Sequence, residues 1–161
     1  MISSPGRREG LLPAVALLLG TLGAGIVGVV VLTERPVEVA IAVDAQNPAC
    51  AAASGYWPEQ VSGEAPRETE PSDHTAIAWG DPAVIARCGM PPLGPTENQC
   101  IVVDGIDWVA EDLGDGTRLT TFGREPAIEV LVPEEHGPAP LLLPAFAEAA
   151  KQLPTNDYAC S

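Results

Sequence analysis

Residues 11–32, LLPAVALLLGTLGAGIVGVVVL, form a run of 22 without a charged side chain. At 1.5 Å per residue a helix of that length reaches roughly 33 Å, enough to cross a hydrocarbon core of about 30 Å. A backbone in lipid must satisfy its own N–H and C=O groups, so a single segment spans only as a helix. Pro13 falls in the first turn, where a missing N–H costs little. Arg7 and Arg8 precede the run, and Glu34 and Arg35 beyond it cancel. The bias of positive charge places the N-terminus in the cytoplasm. The chain therefore divides into a cytoplasmic tail (1–10), a transmembrane helix (11–32) and an extracytoplasmic domain (33–161), the whole anchored in the cytoplasmic membrane. The competing reading is a cleaved signal peptide with Ala40-Ile41-Ala42 as its cleavage site. That site lies well past an apolar run already too long for a signal peptide, so an uncleaved signal-anchor is expected.

The anchor carries a pattern of its own. Ala16, Gly20, Ala24 and Gly28 fall four apart along one helical face. Small residues at that spacing let helices approach closely, which suits packing on an integral-membrane partner or on a second copy. Chance is the alternative, because the segment is rich in glycine and alanine.

Beyond residue 32 the chain is acidic. Glu9 is the only one of the 22 acids before that point, and Arg7 and Arg8 are two of the 8 bases, leaving 21 against 6 and a net charge of −15. Such a domain lacks the basic footprint that nucleic acid requires. The carboxylates are scattered, as on a solvated, self-repelling surface.

Alternating apolar residues over 37–43, VEVAIAV, predict a half-buried strand. Asn47-Pro48 predicts a capped helix over 49–54 that stops at Gly55. Residues 58–74 are proline-rich and charged and read as a surface loop. Strands are expected over 75–79 and 83–87 about a Gly80-Asp81-Pro82 turn. They are also expected over 101–103 and 106–111 about an Asp104-Gly105 hairpin link, and over 117–122 and 127–132. The last four suggest an antiparallel meander. A final helix over 140–153 would bury Leu142, Phe146, Ala149 and Leu153, with Pro144 among the first-turn positions. The fold class is α+β: a small antiparallel sheet crossed by one main C-terminal helix, preceded by the single transmembrane helix.

Cys50, Cys88, Cys100 and Cys160 all fall outside the membrane in this orientation. An even count in an oxidising compartment predicts two disulfides. Three pairings are possible. Cys88–Cys100 with Cys50–Cys160 is preferred, because it closes the proline-rich segment 90–98 and ties the start of the domain to its end. No C-x-x-C occurs, and the spacings to His74 and His136 do not suit zinc.

Trp79-Gly80-Asp81-Pro82, Arg87-Cys88-Gly89, Cys100, Asp107-Trp108 and Thr121-Phe122-Gly123-Arg124 follow one another in the chain. Together they resemble an uncharacterised, domain-of-unknown-function family of actinobacterial envelope proteins, membrane-anchored or lipoprotein, with a WGDP…RCG signature. The resemblance implies location and cysteine pairing. It implies no catalytic residues, metal or cofactor.

Each of these residues also has a structural reading. Asp81 is expected to accept backbone N–H bonds in the turn before Pro82 rather than to serve as a base. Arg87 and Arg124 could grip an anion, but pairing with Asp81, Asp107 or Glu125 is the stronger expectation. Trp79 and Trp108 are expected in the core rather than on a recognition surface. No G-x-S-x-G, H-E-x-x-H, P-loop or Rossmann fingerprint occurs, so no constellation for catalysis can be assembled. The leading expectation is a non-enzymatic accessory or interaction module of an envelope or membrane complex. An exported binder of an anionic small ligand is second and an envelope enzyme third.

Overall fold

The computed structural model describes residues 35–160. The expected cytoplasmic tail and the expected transmembrane helix with its Ala16, Gly20, Ala24 and Gly28 face lie outside the described residues. Among the described residues no helix is long and apolar enough to cross a membrane.

Asn47 caps α1 (Pro48–Ser54): its side chain accepts from the Ala49 N–H, Pro48 fills the first turn, and Gly55 ends the helix. Short polar side chains favour this position because they satisfy an otherwise orphaned donor. The domain's strands are β1 (Val37–Glu38), β2 (Pro66–Arg67), β3 (Thr69–Glu70), β4 (Ala76–Trp79), β5 (Val84–Met90), β6 (Gln99–Val103), β7 (Ile106–Asp112), β8 (Gly116–Phe122) and β9 (Ala127–Pro133). Asp104 and Gly105 join β6 to β7 with φ of 51° and 77°. Two positive φ values in a two-residue link match the right-handed twist of the flanking strands.

One seven-stranded sheet runs in the order β2-β4-β5-β9-β8-β7-β6, with every neighbouring pair antiparallel. The expected meander is its β6–β9 half. β1 and β3 form a separate parallel pair. One face of the large sheet is apolar. Val84, Ala86, Cys88, Trp108, Leu119, Ile128 and Val130 pack there against α1 and the C-terminal helical segment. Trp79 meets Phe146 edge to face at 5.5 Å in this core, a favourable arrangement for aromatic quadrupoles.

Three expectations about elements are corrected. Residues 37–43 are not one strand: pairing ends at Glu38, and Val43 is 86% exposed. The segment instead leaves β3 and crosses to β5, where Ala40 O accepts from Arg87 and Asp44 N–H donates to Gly89 O (3.0 Å). Residues 58–74 are not wholly loop, since β2 and β3 lie within them. The C-terminal helix is α-helical only over α2 (Ala147–Lys151), and Ala139–Phe146 is a 3-10 helix. Pro144 explains this, because its ring clashes with the carbonyl four residues back and it cannot donate. The apolar stripe survives the change: Leu142, Phe146, Ala149 and Leu153 are all buried.

The connection from β5 to β6 is the least ordinary feature of the fold. β9, β8 and β7 lie between those two strands. At about 4.8 Å per strand the chain must travel roughly 19 Å across the sheet. Residues 91–98, PPLGPTEN, cover that distance. Eight residues in polyproline geometry reach about 25 Å, enough for the crossing, and the segment bends at Pro95, Glu97 and Asn98 on the way. It forms a strap over the sheet face opposite the helices.

Candidate functional site

The two disulfides are Cys50–Cys88 and Cys100–Cys160. All four cysteines are paired, but the preferred connectivity is corrected. The strap explains why. Cys88 and Cys100 flank a short segment of sequence, but that segment crosses the sheet and leaves them on strands with three others between. A disulfide needs Cα atoms within about 7 Å. Cys88 instead faces the helices, where it meets Cys50 of α1, and both are fully buried. Cys100, on the opposite edge strand, takes Cys160 from the C-terminal tail.

The WGDP segment is a structural corner. Trp79 is buried and its Nε1 donates to Pro58 O (3.1 Å). Gly80 O accepts from Arg67 Nη1 (2.9 Å), and His136 Nε2 donates to Pro82 O (2.6 Å). The Asp81–Pro82 bond is cis. Asp81 itself corrects the expectation: its side chain is 90% exposed and lies 3.7 Å from Arg67, and among the described residues no backbone N–H donates to it. Gly89 has φ of 104°, and a Cβ there would collide with the backbone of Asp44 and Ala45. Only glycine permits that close crossing. Trp108 is buried in the core.

Arg87 and Arg124 both turn inward, onto partners other than those expected. Arg124 Nη1 donates to Leu153 O (2.8 Å) just past α2, a favourable place for a cation at a helix C-terminus. Arg87 Nε and Nη2 both reach Glu129 Oε1 at 2.7 Å, and its Nη1 donates to Ala40 O. Glu129, only 2% exposed, was not singled out in the sequence. Its signal was weak but present: it is the one charged residue within the apolar run AIEVLV. Arg118 approaches the other carboxylate oxygen, Nε to Oε2 at 3.3 Å, and pairs outward with Glu111 (2.9 Å). Cross-strand register places Arg87, Glu129 and Thr120 in one row and Arg118 beside Glu111 in the next. The four charges thus form a chain across β5, β9, β8 and β7.

This row floors a groove beneath the strap. One part, about 250 Å³, is walled by Met90, Pro91, Pro92 and Leu93 over Thr120, Arg118 and Glu129. The adjoining part, about 340 Å³, shares Thr96 and Asn98 and ends at Phe122, Tyr158 and the Cys100–Cys160 disulfide. Phe122 and Tyr158 stack at 5.8 Å there. Just before β4, Asp73 Oδ1 accepts from Thr75 Oγ1 (2.6 Å) and Thr75 N–H (2.8 Å), which holds its carboxyl below the usual range. Among the described residues no three His, Cys, Asp or Glu side chains gather closely enough to hold a metal ion.

These features define a class: a small α+β domain, stapled by two disulfides, with a strapped sheet face opposite its helical layer. The chain belongs to a family of unknown function, described as Protein of unknown function (DUF3515), whose profile matches residues 11–157. No curated protein and no solved structure matches it.

Proposed function

We propose that this chain is a single-pass protein of the cytoplasmic membrane whose domain lies outside and acts as a non-enzymatic interaction module of an envelope complex. The observation that carries the reading is the pairing of all four cysteines in two disulfides on opposite faces of one sheet. Structural disulfides persist in oxidising compartments and not in the cytosol. The uncharged run supports an anchor, and the family match begins at its first residue, 11. The resemblance to actinobacterial envelope proteins points the same way. Arg87, Arg124, Trp79 and Trp108, the side chains from which a site could have been assembled, are engaged in holding the domain together.

The test is direct. Full-length protein should stay in membranes through alkaline carbonate, lose its domain to protease added outside intact cells, and show no reactive thiol before reduction. Affinity purification in mild detergent should recover an integral-membrane partner, and Gly20→Leu with Gly28→Leu should weaken that recovery at least threefold. Recovery of the chain from the cytosol with four free thiols would overturn the proposal.

The groove favours a second reading, an exported binder of a small ligand. Arg118, Thr120 and Asn98 would then supply the polar contacts in place of Arg87 and Arg124. Ligand-dependent thermal shifts that vanish in Arg118→Ala would select it.

A further inference from the structure

The two edges of the large sheet are treated differently. At one edge, β2 is two residues long and begins with Pro66, a form that blunts strand addition. At the other, β6 (QCIVV) presents five consecutive residues with no charge and no proline. Val102 on this strand is 61% exposed. In a domain of net charge −15 such a strand is out of place as a free surface.

The register tells which backbone groups are open. The Asp104-Gly105 link makes Val103 and Ile106 a hydrogen-bonded pair, and the alternation then bonds Ile101 to Trp108 and Gln99 to Ala110. The N–H and C=O groups of Cys100 and Val102 therefore point away from β7. Among the described residues no backbone hydrogen bond from elsewhere reaches them.

We propose that β6 is the interface through which a second copy of this chain adds to the sheet, antiparallel and centred on Ile101. In that register Cys100 of each copy faces Val102 of the other, and the four open backbone groups on each strand exchange hydrogen bonds across the two-fold axis. Charge is compatible with this register. Gln99 lies opposite Val103, every residue paired within β6 is uncharged, and Asn98 and Asp104 flank the two ends, so no acid meets an acid and an amide donor lies beside a carboxylate at each end. The inference rests on sheet geometry and is independent of the proposed location and of any membrane partner.

Amide hydrogen exchange on the full-length protein in detergent, resolved by residue and followed with protein concentration, tests it. On concentration the Cys100 and Val102 amides should slow at least tenfold while Ile101, already bonded within the sheet, changes little. Light-scattering mass should double over the same range. Higher salt should favour the dimer, because it screens repulsion between two acidic domains. Val102→Pro removes one outward N–H without touching the β6–β7 ladder and should abolish both effects with both disulfides retained. Val102→Lys serves the same purpose if the proline variant fails to fold. A dimer that survives these variants and is lost in Gly20→Leu with Gly28→Leu would overturn the proposal. So would a monomer at every concentration, or protection of Cys100 and Val102 that appears only when another envelope protein is added.

Discussion

Glu129 sits in the middle of β9 with its carboxylate between two arginines and almost no access to water. A buried ion network adds little net stability over an apolar replacement, but removal of one partner strands the others. Glu129→Gln leaves Arg87 held against the sheet with no counter-charge. It should lower unfolding free energy by about 3 kcal/mol, read from the urea midpoint. Adding Arg87→Met to that variant should recover part of the loss, and the double-mutant cycle should show strong coupling. The network's value lies in register. Arg87, Glu129 and Thr120 are level only when β5, β9 and β8 are correctly aligned, and a slip of one residue would send each to the apolar face.

At the scale of elements, the strap and the two disulfides act together. Cys50–Cys88 holds α1 to the helical face of β5 across 38 residues. Cys100–Cys160 holds the tail to the other face at β6 across 60. The chain-entropy model assigns about 4 kcal/mol to loops of either length. Their removal should nonetheless differ in kind. Cys50→Ala with Cys88→Ala opens space inside the core as well as lengthening the unfolded chain, so the global urea midpoint should fall sharply. Cys100→Ser with Cys160→Ser frees a tail that also leans on Asp107 and Phe122. Limited proteolysis should then cut near residues 155–160 while the sheet remains folded.

At the scale of the whole molecule, the net charge of −15 beyond residue 32 opposes compaction. Screening should therefore stabilise. Between about 10 mM and 300 mM salt the Debye length falls from roughly 30 Å to under 8 Å. The domain's Tm should rise by a few degrees over that range, on the order of 1 kcal/mol. A Tm independent of salt would show that the scattered carboxylates already lie too far apart to repel.

Local chemistry was legible in the residues. Asn47, Pro48 and Gly55 mark α1 because capping and termination depend on side chains a few positions apart. Asp104-Gly105 marks its hairpin because few residues accept positive φ. Four cysteines predict two bonds, and two form. What the residues did not disclose is long-range placement. The connectivity of the disulfides, the ion pair of Arg87 with Glu129 and the open edge at β6 all follow from β5 pairing with β9 instead of with the next strand in the chain. Burial of apolar side chains decides that pairing, and it acts between segments far apart in sequence. Pattern within a window fixes which elements form; only the packed sheet decides which of them meet.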